Sequence, residues 1–212
     1  MNCKKKYKVF LMIILQKELS SMNLLLDDLD KIVKMRIKED FNTNFRNSIL
    51  FELLMQESNL SNEAKVYQAL KIYYPNINQI KDVNKAIDNI LWFYKCGKEE
   101  KEEVDQKETK RNIKRIYSYE FDNELIYSAF KDQYNIDLQE IEYLHWWKFK
   151  AMFDSLKDDN KIVEVMGYRA VNLSKIKDKE MKKHYKKMQK LYALPDMRSE
   201  EEKENDFAEA FS

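Results

Sequence analysis

Apolar residues recur along this chain at two different periods. From Val33 to Lys38 they alternate, with Val33, Met35 and Ile37 on one side and Lys34, Arg36 and Lys38 on the other. A period of two predicts a half-buried strand. A lone strand needs a partner, either Ile162–Met166 or the same strand of a second copy. Elsewhere the period is helical. Phe41, Phe45, Ile49 and Leu53 recur every four residues through "FNTNFRNSILFELLM". "SNEAKVYQALKIYY" reads as a helix opened by Ser61 or Asn62 and stopped before Pro75. A third helix carries Ile80, Val83, Ile87, Ile90, Leu91 and Tyr94, and Gly97 stands where a C-cap is wanted. A fourth follows Ser118 through Phe121, Leu125 and Ala129, and a last one runs from about Asp178 to Ala193, before Pro195.

The stretch "EYLHWWKFKAMFDSL" raises the sharpest question. Asp137 and Glu140 have capping-box spacing and Ile136 and Ile141 stand at the staple positions, which predicts a helix opening at Asp137. At 100° per residue, Trp146, Phe149, Met152, Phe153 and Leu156 form one broad apolar arc. Leu144, Trp147 and Ala151 form a narrower second one, with Lys150 and Asp154 between them as an i,i+4 pair. A helix with two apolar faces is either central to a core or keeps one face for a partner. Base stacking fits less well, because Lys148 and Lys150 point apart instead of lining one groove. Leu144, Trp146 and Trp147 are therefore candidate partner contacts as well as candidate core.

Composition narrows the fold. The 212 residues include only two glycines and two prolines, too few for the turns of an all-β protein or for a phosphate-binding loop. With 44% hydrophobic residues there is ample material for a packed core. The fold class is mainly α: a single-domain helical bundle of about six to seven helices, with at most one short strand or small hairpin near the N-terminus. Lys and Arg number 38 against 37 Asp and Glu, a balance that argues against a nucleic-acid coat protein. Cys3 and Cys96 supply neither a disulfide framework nor a zinc site, which fits a reducing cytoplasm.

Charge is nonetheless unevenly placed. Positions 98–110 hold ten charges in thirteen residues and read as a solvated linker. From Arg169 to Lys190 there are nine basic residues and two acids; from Leu191 onward there are seven acids and two bases. Within the last helix Met181, Tyr185, Met188 and Tyr192 line one face, and Lys182, Lys183, Lys186, Lys187 and Lys190 occupy the rest. That pattern is a surface helix docked by its Met/Tyr stripe, or a site for an acidic protein or nucleic acid; Met181, Tyr185 and Met188 are thus further candidate partner contacts, and the five lysines a candidate basic patch. The acidic tail, 196–212, could fold back on it. Enzyme signals are absent: no nucleophile motif, no paired metal ligands and no phosphate loop occur, so no catalytic, metal or cofactor site is expected. His145 has only the distant His184 for company, and a buried histidine bonded to backbone is the simpler reading.

Residues 1–21 pose a separate question. Val9–Leu15 is seven apolar residues after a basic start, too short to span a bilayer and at the lower limit for a signal sequence. Lys17-Glu18 can be encoded by a ribosome-binding sequence suitably placed before Met22. The expectation is a translated leader upstream of Met22, with a signal or surface anchor and a genuine first element as alternatives. The domain is then 22–195.

The segments "AIDNILWFYKCGK", "IYSYEFDNELIYSAFKDQYNIDL", "EYLHWWKFKAMFDSL", "MGYR" and "KKMQKLYALPD", in this order, resemble a family of tailed-phage proteins known as gene product fifteen. The resemblance covers about Leu24 to Pro195, with the Leu-His-Trp-Trp-Lys-Phe block its most specific part. It implies a protein of tail morphogenesis in phage or prophage, a tail assembly chaperone by gene position. The partners it implies are the tape-measure protein and a neighbouring small tail assembly protein, met in the host cytoplasm. A structural tail component is the alternative, and homo-oligomerisation is open. Members of the family often carry a Gly-containing hairpin where this chain has the unbroken Lys31–Phe41.

Overall fold

The computed structural model describes residues 23–98 and 115–195. The predicted leader, all of the predicted linker beyond Lys98, and the acidic tail with its Phe207 and Phe211 lie outside the described residues. Within them are eight α-helices, two single-turn 3-10 helices and no strand. We number them α1 (Leu29–Arg36), α2 (Phe45–Gln56), α3 (Asn62–Tyr73), α4 (Val83–Tyr94), α5 (Asn123–Tyr134), α6 (Trp146–Asp154), α7 (Lys161–Ala170) and α8 (Lys179–Leu191). The two helices beyond the six read from periodicity are α1 and α7, and both occupy segments read as strand.

In α1 the residues Leu29 and Val33 fall on one helical stripe at i and i+4, and Ile37, the C-cap that follows, is buried with them. Val33 and Ile37 satisfy a period of two and a period of four alike. Met35 decides between them: it is 59% exposed instead of sharing the buried side. Asp28 starts the helix, its carboxylate accepting from Lys31 N at 3.1 Å. In α7, Ile162, Val165 and Arg169 form the inward face, so Ile162–Met166 is no strand partner.

The remaining boundaries follow local chemistry. Ser61 Oγ accepts from Ala64 N, Asp82 from Lys85 N and Asp178 from Met181 N, each capping the helix that follows it. Asn135 ends α5 in the left-handed conformation, with Ile136 N donating to Phe130 O and Asn135 N to Lys131 O. Helix α2 packs on α3 and α6, α3 on α4, and α5 on α7, which also carries α8.

The core is dominated by rings. Phe149 of α6 is fully buried between Phe45 and Phe130, stacked on each with centroids 4.9 and 4.8 Å away. Phe41, Tyr73 and Phe93 make a second group at 5.1–5.9 Å. Burying one such side chain contributes about 1.5–3 kcal/mol. A polar clasp joins α5 to α7: Arg169 donates to both carboxylate oxygens of Asp122 at 2.6 and 2.9 Å, and to Ile116 O at 3.0 Å. Both side chains are nearly inaccessible. Asp122 also accepts from Ser118 N, so its charge is fully bonded.

Candidate functional site

The Trp-Trp helix does not begin at Asp137. One turn forms there, with Asp137 accepting from Gln139 N and Glu140 N and Ile141 N donating to Asp137 O. The chain then straightens, and α6 starts at Trp146. Two bonds dictate this: Phe45 N donates to Leu144 O and Trp146 N to Thr43 O, both at 2.9 Å. They make a single antiparallel bridge between Asn44 and His145. These bridged residues are the N-caps of α2 and α6. Asn44 Oδ1 accepts from Arg46 N, and His145 Nδ1 accepts from Trp147 N, both at 3.1 Å. A capping box is a local signal, and here a contact across the chain overrides it.

Each tryptophan then has a definite task. Trp146 Nε1 donates to Tyr94 O at 2.9 Å and Trp147 Nε1 to Phe93 O at 2.7 Å. Those carbonyls end α4, where Phe93 O also accepts from Cys96 N at 3.0 Å and the indoles add a second bond to the helix end. The chain leaves α4 through Cys96 and Gly97, at φ of 57° and 70°. A Cβ on Gly97 would sit 3.3 Å from the Trp147 ring, so both the backbone turn and the ring favour glycine there. Trp146 and Trp147 are each 1% exposed, and Leu144 is buried with them. As the chain stands, these three sequence-selected contacts face its own core. His145 is buried too. Burial pushes its pKa down to about 4, opposed by Asp30 and helped by Lys148, so the ring is neutral near pH 7. With Nδ1 accepting, Nε2 carries the proton and has no hydrogen-bond partner.

An open groove of about 580 Å³ lies between α2, α5 and the turn at 138–139. Phe45, Ile49, Ile126, Leu138 and Phe149 give it apolar walls; Arg46, Asn123, Glu124 and Gln139 supply polar ones. Its turn is held from both sides. Arg46 Nη2 donates to Leu138 O and Ile141 O at 2.8 Å. Asp137 accepts from Tyr127 Oη at 2.9 Å and Lys131 Nζ at 3.2 Å. The Tyr127 bond foremost, with the turn amides and Lys131, lowers the Asp137 pKa to about 2. The sequence pattern named Phe45 and Ile49 as core stripe but not as groove. Leu138 sat inside the supposed helix, and only the early end of that turn reveals it.

Helix α8 carries the other sequence-selected residues. It touches α7 through Tyr192 stacked on Tyr168 at 5.8 Å and through Tyr185 at 6.1 Å. Gln189 Nε2 donates to Tyr168 O and Val171 O, capping α7, while Arg169 Nε donates to Tyr192 O, capping α8. Tyr185 and Met188 are half-buried, Met181 is 53% exposed, and no residue of α8 is buried. Lys182, Lys183, Lys186, Lys187 and Lys190 are all exposed.

Among the described residues no cluster of three or more His, Cys, Asp or Glu side chains is placed to hold a metal ion. Nor is any helix there long and apolar enough to cross a membrane. Cys96 is half-buried, and burial pushes its thiol up to about 11, well away from a reactive thiolate.

The class these features define is an all-helical protein whose outward-facing assets are a groove and a cationic helix. Residues 25–194 match the family model of the Bacteriophage Gp15 protein, and the chain belongs to that family. No curated protein and no solved structure matches it.

Proposed function

We propose that this phage protein is a tail assembly chaperone that holds the tape-measure protein soluble until tail-tube protein polymerises around it. It is not an enzyme on this reading, and it works in the host cytoplasm by non-covalent contact. The observation that carries the reading is membership of the phage family across nearly all described residues. The groove supplies a mode of binding: its apolar walls suit side chains projecting from one face of an amphipathic client helix, and its polar walls suit the flanks of that helix. A neighbouring small tail assembly protein is a second partner.

Co-expression with the adjacent tape-measure protein tests this. Client solubility is expected to depend on this chain and to fall with Ile49→Asp, which places a charge in the groove while leaving helical content unchanged. A client equally soluble without the chain would overturn the reading. Mass spectrometry of purified particles separates the structural alternative: a chaperone is missing from them, a tail subunit is present at fixed copy number.

A further inference from the structure

On a helical wheel of α8 the residues Lys182, Lys186, Lys179, Lys190, Lys183 and Lys187 follow one another around an arc of roughly 140°. No other residue falls within it. The arc points away from the Met181, Tyr185, Met188 and Tyr192 stripe that faces α7, and runs about 17 Å along the axis. All six lysines are exposed, and among the described residues none is in an ion pair. Six like charges on one short face repel one another, so the face gains most from an anionic occupant.

The chemistry of the arc selects that occupant. It has no arginine for bidentate phosphate recognition and no aromatic ring for bases to stack on, since Tyr185 and Tyr192 are turned toward α7. Strings of carboxylates match it better. Residues 196–212 supply seven acids against two bases, with Glu200, Glu201, Glu202 and Glu204 closely spaced. Leu191 ends the helix only nine residues before Glu200. The structure places the chain as far as Pro195, and the five residues from there to Glu200 reach about 17 Å when extended, about the length of the lysine arc. A short tether also gives an effective concentration in the millimolar range, far above that of a free competitor.

We propose that the lysine face of α8 is a docking surface for acidic polypeptide, and that its resident occupant is segment 196–212 of the same chain. An external acidic partner then has to displace this strap. The contact is electrostatic and is weakened by salt.

Zero-length carbodiimide coupling of the full chain tests the contact directly. Amide links between Lys179–Lys190 and the carboxylates of 200–209 are expected within the monomer, and are expected to vanish near 1 M salt, where screening length falls to about 3 Å. The variant E200Q/E201Q/E202Q/E204Q is expected to bind a labelled polyglutamate peptide roughly fivefold or more tightly than the native chain. Equal affinities, or an absence of links in the monomer, would overturn the proposal. Links found only in a dimer would also overturn it, assigning the face to the segment of a second copy. Tighter binding of a short RNA than of polyglutamate would overturn the choice of acidic polypeptide.

Discussion

Helices α6 and α8 each carry a dense row of one residue character and use it in opposite ways. In α6 the rings are consumed by the fold: Phe149 is sandwiched and both indoles cap α4. In α8 nothing is buried, and the lysine row faces solvent while a few ring contacts and reciprocal caps hold the helix to α7. The first arrangement makes α6 costly to alter and silent on the surface. The second leaves α8 cheap to alter and its charge open to solvent. A conspicuous motif is therefore a poor guide to where binding occurs unless its burial is known.

The contrast can be broken at several points. Phe149→Ala removes the centre of the ring stack and is expected to cost about 3–5 kcal/mol in urea unfolding. A loss below about 1 kcal/mol would mean that the stack is not what holds α2, α5 and α6 together. Arg169→Met leaves Asp122 buried without its cation and is expected to cost about 3 kcal/mol. The same change frees Tyr192 O, so hydrogen exchange in α8 is expected to rise together with the stability loss.

Histidine gives a finer probe. The unfolded imidazole takes a proton near 6.5, the folded one only near 4, so the unfolded state binds more protons between those values. Stability from this group is complete above pH 6.5 and falls by about 1–3 kcal/mol as pH drops toward 4. Comparing the native chain with His145→Asn, which keeps an N-cap acceptor, isolates that slope; identical pH profiles would show that His145 titrates normally. At the lower end, Lys183→Gln with Lys186→Gln is expected to move stability by less than about 0.5 kcal/mol. A larger loss in thermal unfolding would mean that the lysine face is structural after all.

Much of the helical layout was legible where a local signal and the tertiary contact agree. Ser61 and Asp178 cap the helices that follow them, and Gly97 turns the chain where a C-cap was wanted, whereas Asp82 starts α4 later than its apolar pattern, leaving Ile80 outside. Two kinds of place misled. A six-residue window at Val33–Lys38 cannot separate a period of two from a period of four, and only the exposure of Met35 beside buried Val33 and Ile37 decides between them. At Asp137 the capping box is real but serves a single turn, because Thr43 and Phe45 draw the backbone at Leu144–Trp146 straight. No local pattern encodes a contact with a segment about a hundred residues away. The groove is unreadable for the same reason, being lined by residues from four separate stretches. The outward lysine face of α8, by contrast, follows from periodicity alone.

The bridge between Asn44 and His145 also has a consequence for synthesis. Helices α1–α4 leave the ribosome before the side chains that finish them, and Trp146 follows Tyr94 by 52 residues. At about 5–20 residues per second, the end of α4 waits roughly 3–10 s for its capping indoles. During that interval Phe45 and Phe93 lack the partners that α6 brings, and the nascent half-chain exposes apolar surface of its own. A protein proposed to shield another chain during assembly thus passes through a stage in which it has the same need.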